Sequence, residues 1–148
     1  MEGNPVNGVD PFGLLSVLVT TYDYGFGSHS ALYIETNGSK YLYDPGGTYA
    51  VSLGYGEPGF RNGDGVFRNN EADLYQYLLY QISSGSTVVS TILNLTPEQE
   101  QTAVKNAQNI GDNGPGYCAR SVSSSLNGMN GISPTWFPGN LARQAGAR

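Results

Sequence analysis

Apolar and β-branched residues run almost unbroken through LSVLVTTY at 15–22, which predicts a buried strand. Two further β-rich runs flank Asn37-Gly38 within SHSALYIETNGSKYLYD at 28–44, which predicts a hairpin closed by a two-residue turn. Such a turn sets Thr36 opposite Ser39 and Glu35 opposite Lys40, an opposite-charge pair that supports the alignment. Counting back along the ladder, Ala31 faces Asp44 and His29 faces Gly46. His29 and Asp44 then lie diagonally on one face, roughly 7–8 Å apart between backbones. A one-residue change in the loop would bring Tyr43 to that face instead.

Downstream the period changes. EADLYQYLLYQI at 71–82 places Leu74, Leu78 and Ile82 at helical spacing, predicting a helix with those residues toward the core and its tyrosines used in packing. STVVSTILNL at 86–95 predicts another strand. Thr96-Pro97-Glu98-Gln99 joins an N-cap threonine, a first-turn proline and a capping-box glutamine, so a helix should run to about Asn109 and stop at Gly111. The glycine-rich GDNGPG then leads into YCARSVSSSL at 117–126, a helix with Cys118 in its first turn and Val122 and Leu126 on its inward face. In the tail, two prolines bracket Trp136-Phe137, predicting an apolar strap and a short helix after Pro138. The fold expected is α+β, a small antiparallel sheet packed against the Cys-bearing helix and additional helices. Residues 44–67 carry many glycines among Tyr49, Tyr55, Phe60 and Phe67; a lid or substrate groove lined by Tyr49, Tyr55 and Phe60 is one reading, a floppy insertion the other.

Composition narrows the function. A chain of 148 residues forms one domain with a core of its own. Seven Lys and Arg against twelve Asp and Glu give an acidic surface that phosphate backbones and anionic membranes repel, so neither nucleic acid nor membrane insertion is expected. No run is long and apolar enough to span a bilayer, and no secretory leader precedes the first strand. One cysteine excludes an internal disulfide, and one cysteine with one histidine cannot make a His/Cys zinc cluster. No metal or cofactor is expected.

A lone cysteine is ordinarily inert packing, but this one sits where free N–H groups and the helix dipole favour a thiolate. Nucleophilic cysteine chemistry also needs a base and a group that orients it. His29 is the only imidazole, and Asp44 could accept from the ring N–H that does not face sulfur. Asp44 also has an ordinary reading, since Asp-Pro-Gly-Gly is a turn sequence. The oxyanion donors would be the Cys118 backbone N–H and one of Tyr22, Tyr117 or Asn113. A serine hydrolase fits poorly, with one histidine and no G-x-S-x-G elbow.

Two resemblances extend this reading. Asn4, Pro5, Asn7, Asp10, Pro11, Gly13 and Leu14 occupy the positions of the N-P-x-N-x-x-D-P-x-G-L signature that closes the shell of Rhs-repeat proteins. That family cuts its own chain after the final leucine, which implies a boundary here: 1–14 as the end of an Rhs core and 15–148 as a toxin domain. Met1 would then be an artefact of where the chain starts, and the Rhs shell an upstream partner. Second, G-S-H-S-A-L-Y-I, Y-L-Y-D-P-G-G, L-T-P-E-Q and G-Y-C-A-R-S-V-S-S-S-L, in that order, resemble the circularly permuted papain-like cysteine hydrolases often found as toxin domains. The resemblance implies Cys118 as nucleophile and His29 as base. The third polar residue falls on Tyr43 or Asp44, and the register favours Asp44. Tyr117 departs from the more usual Asn before the cysteine. Together they imply an interbacterial toxin made in the bacterial cytoplasm and exported by a dedicated system of the type VI kind. It would act on a protein in the target cytosol or, alternatively, on peptidoglycan, and be neutralised by a cognate immunity protein. A non-catalytic binding module, with Cys118 as packing, is the alternative from another class.

Overall fold

In the computed structural model, which describes residues 14–55 and 64–146, the apolar run becomes β1 (Leu15–Asp23), an interior strand of the sheet. It pairs antiparallel with β2 (Phe26–Thr36) on one side and β5 (Thr87–Leu93) on the other. The predicted hairpin closes at Asn37-Gly38, both at positive φ, and sets β2 against β3 (Ser39–Tyr43) with Thr36 opposite Ser39 and Glu35 opposite Lys40. A short β4 (Val66–Arg68) completes the sheet in the order β4-β3-β2-β1-β5. All pairings are antiparallel, and the molecule is α+β.

Strand side chains alternate, and both faces are covered. On one, Leu18, Leu32, Ile34, Tyr43 and Leu93 pack against α3 (Pro97–Ile110), α4 (Cys118–Ser125) and α5 (Pro138–Gly146) through Ala103, Val122, Leu126 and Leu141. On the other, Val17, Val19, Ala31, Tyr33, Leu42 and Phe67 meet the single turn α1 (Tyr49–Ser52) and α2 (Leu74–Ser83). This second covered face explains why β1 is apolar throughout. The α3 capping box forms as read: Gln99 N–H donates to Thr96 Oγ1 at 3.1 Å, and Thr96 N–H to Gln99 Oε1 at 3.0 Å.

Three expectations change. Helix α2 begins later than predicted and turns Tyr77 and Gln81 into the core, leaving Ile82 54% exposed and Leu74 and Leu78 only partly buried. Asp73, whose carboxylate accepts from Gln76 N–H, caps the helix and sets its start. Within the described part of 44–67, α1 and the first residues of β4 form. Trp136 and Phe137 are exposed at 49% and 69%; just before them the Ser123 hydroxyl accepts from the Thr135 N–H and donates to the Thr135 carbonyl. The Rhs-like segment falls almost entirely outside the described residues. No described helix is long and apolar enough to cross a membrane.

Candidate active site

His29 owes its position to an irregularity. Thr21 pairs with His29 but Tyr22 with Gly27, so Ser28 is left over as a bulge. Its hydroxyl fixes the bulge through Asp23 Oδ2 at 2.6 Å and the Thr21 carbonyl at 3.2 Å. The next side chain, His29, reaches over the end of β3, where the chain turns away at Asp44. There His29 Nε2–H donates to Asp44 Oδ1 at 2.5 Å. Asp44 is 1% exposed, and its Oδ1 also accepts from the Tyr77 hydroxyl at 2.8 Å. Tyr43 points to the opposite face and donates to the Gly111 carbonyl at 2.7 Å.

The end of β3 also makes room for sulfur. A two-residue turn makes Thr36 and Ser39 a hydrogen-bonded pair, so every second β2 residue counting back, Ile34, Leu32 and Ser30, aims its N–H toward β3. Strand β3 stops at Tyr43, opposite Leu32, and the Ser30 N–H falls past its end. The Cys118 sulfur takes that vacant position, accepting from the N–H groups of Ser30 and Ala119 and sharing a hydrogen bond with His29. With Nε2 taken by Asp44, Nδ1 is the ring nitrogen left for the sulfur.

Electrostatics favour the ion pair. Burial raises the Cys118 thiol pKa, but the hydrogen bond and charge of His29, with the two backbone donors, outweigh it and lower the value below that of an ordinary thiol. Burial likewise opposes charge on His29, yet Asp44 and the facing sulfur raise its pKa from 6.5 to about 10. The thiol is thus shifted toward thiolate and the imidazole toward imidazolium, each by the other's charge.

The two limbs of the site are tied by Asp112. Its Oδ1 accepts from Gly46 N–H at 3.0 Å and Gly114 N–H at 2.8 Å, joining the turn after Asp44 to the turn before Cys118. Gly46 adopts φ +72°, and a Cβ there would lie 2.5 Å from the Gly114 carbonyl oxygen. Glycine is therefore demanded where the limbs meet.

Other sequence candidates go elsewhere. Tyr117 stacks edge-on against Trp136 at 5.3 Å between centroids and is 42% exposed. Asn113 is exposed, with only a 3.5 Å contact from Nδ2 to Ser121 Oγ. Tyr22 is partly buried at the bulge, on the strand beside His29. Tyr49, expected in a groove, is 2% exposed and packs edge-on against Phe67 and Tyr77, because the turn of α1 points it into the second core. Tyr55 donates to Glu71, and Phe60 lies outside the described residues. Sequence reasoning missed Tyr77, Gln81 and Asp112 as neighbours of the site. The signal for the first two was a polar pair four residues apart on α2. Among the described residues no group of three His, Cys, Asp or Glu side chains could hold a metal ion.

No family model matches the chain, and neither curated proteins nor solved structures offer a match from which a family or fold could be assigned.

Proposed function

We propose that this domain is a cysteine hydrolase of the permuted papain-like kind, acting as the toxin of an Rhs effector on peptide bonds of a target-cell protein. One observation carries the reading: a single imidazole is bound by Asp44 through Nε2 at 2.5 Å and shares its other side with a cysteine at a helix start. Inert packing explains a buried cysteine, but not its placement on the only histidine with a carboxylate behind the ring.

In this reading the Cys118 thiolate attacks the scissile carbonyl carbon, and the oxyanion is held by the Cys118 N–H, which the first turn of α4 leaves without an intrahelical acceptor. His29 gives its Nδ1 proton to the leaving amine as the C–N bond breaks, leaving a thioester. Water then attacks the thioester while neutral His29 takes its proton, and the acid product leaves with the thiolate restored. Asp44 keeps Nε2–H pointed away from sulfur throughout, so that Nδ1 is the nitrogen that exchanges the proton.

The test is expression in a susceptible bacterium, directed to cytosol or periplasm, of the native domain and of Cys118→Ala and His29→Ala. Growth arrest by the native form, lost in both variants at equal soluble levels, is expected from the cytosol. Killing retained by either variant would refute the hydrolase. Killing from the periplasm alone, with cell rounding and altered muropeptides, would replace the protein substrate by peptidoglycan.

A further inference from the structure

Behind His29, three buried polar side chains are joined in series. Gln81 Nε2 donates to the Tyr77 hydroxyl at 2.9 Å, Tyr77 donates to Asp44 Oδ1 at 2.8 Å, and that same oxygen receives His29 Nε2–H at 2.5 Å. Tyr77 is wholly buried and Gln81 is 9% exposed. Phenylalanine would fill the space among Tyr49 and Ala72 equally well, so packing alone does not call for a hydroxyl here. Burial and the neighbouring Asp44 hold the Tyr77 pKa well above its usual value, which keeps the hydroxyl protonated, donating to Asp44 while it accepts from Gln81.

The carboxylate is fixed at both oxygens. Two donors converge on Oδ1, while Oδ2 occupies the space left by Gly47, where a Cβ would lie 2.1 Å away. Removing the Tyr77 donor frees rotation of the carboxylate, and the imidazole bound to it loses its single direction toward sulfur. The link crosses the sheet edge: α2 covers the face opposite α4, and Asp44 and His29 join the two through hydrogen bonds.

We propose that Tyr77, backed by Gln81, is a positioning residue that aligns Asp44 and so sets the reactivity of Cys118. This rests on the Cys118–His29 pairing of the proposed hydrolase. A chemical readout separates the two, because Cys118 is the only cysteine and its alkylation needs no physiological substrate.

The experiment measures the rate of iodoacetamide alkylation between pH 5 and 9, with thermal midpoints, for the native domain, Tyr77→Phe, Asp44→Ala and the double variant. Loss of one buried hydrogen bond to a charged group predicts about a tenfold lower rate at pH 6 for Tyr77→Phe. In the Asp44→Ala background the same change should do nothing further, since both act through one carboxylate. An unchanged rate in Tyr77→Phe, or an equal fall with and without Asp44, overturns the proposal. Should Tyr77→Phe not fold, Gln81→Leu is read by the same criteria, with a smaller fall of about threefold. Growth arrest that requires Cys118, with alkylation indifferent to Tyr77, would leave the hydrolase standing and remove Tyr77 from it. Alkylation that depends on Tyr77 through Asp44, with no growth arrest, would do the reverse.

Discussion

Replacing Gly47 by alanine should harm this protein even though nothing about its backbone requires glycine. Its φ is not positive, and Gly→Ala at a permissive site ordinarily stabilises by about 0.4–1 kcal/mol through the unfolded chain. Here the new methyl carbon would lie 2.1 Å from Asp44 Oδ2 and 2.5 Å from both Cγ and Oδ1. Ordinary contact begins near 3.4 Å, so the carboxylate must retreat by more than an ångström or the turn must open. A shift of that size carries Oδ1 beyond bonding distance of His29 Nε2 and Tyr77 Oη, now at 2.5 and 2.8 Å. Each is a charge-assisted bond worth about 1.5–3 kcal/mol, so the net loss after the unfolded-state gain is about 2–5.5 kcal/mol. For a chain of this length that lowers the thermal midpoint by roughly 10 °C. Differential scanning calorimetry measures the shift, and iodoacetamide alkylation of Cys118 should slow in parallel. In an Asp44→Ala background the obstructed atoms are gone, and Gly47→Ala should become neutral or mildly stabilising. A midpoint equal to or above the native one in the native background, with unchanged alkylation, would refute the close approach of Gly47 to Asp44.

Two further outcomes follow from the same geometry. His29 is raised from 6.5 to about 10, so its contribution to stability is complete below pH 6.5 and is lost as pH rises through about 10; Cys118, lowered from 9.0, contributes above pH 9 and loses that as pH falls through its lowered value. These slopes oppose one another from the lowered Cys118 value up to pH 9, so the thermal midpoint of Cys118→Ala should fall more steeply than the native one as pH rises toward 9, and parallel curves would contradict the pairing. Away from the site, Thr96→Ala removes the α3 capping box and should reduce stability by about 1 kcal/mol in urea titration while leaving Cys118 alkylation untouched.

Much of the site was legible because its signals are local. The Asn-Gly turn fixes the hairpin register, and with side chains alternating along a strand, register alone places His29 and Asp44 on one face. Thr96-Pro97 starts α3 through bonds made within four residues, and Val122 and Leu126 face inward because helical spacing sets them beside each other. The glycine-rich approach to Cys118 marked a tight turn into a helix, which the backbone supplies. Tyr49 misled because aromatic residues in a glycine-rich span look alike whether they line a cleft or fill a core. Only the position of α1 against α2 decides that Tyr49 packs against Tyr77.

What the sequence determined by itself was therefore the chemistry available and the order of the elements: one thiol at a helix start, one imidazole on a strand, and a carboxylate in register with it. Tertiary structure alone decided how these converge. The Ser28 bulge aims His29, the early end of β3 opens a ladder position that sulfur fills, and Asp112 ties together turns 66 residues apart. Tyr77 and Gln81 arrive from the far side of the sheet, through the rotation of α2 about its axis. The physical reason is range: turns, caps and alternation are set by neighbours in sequence, whereas a buried hydrogen bond depends on which distant polar groups share the same interior space once the helices have packed.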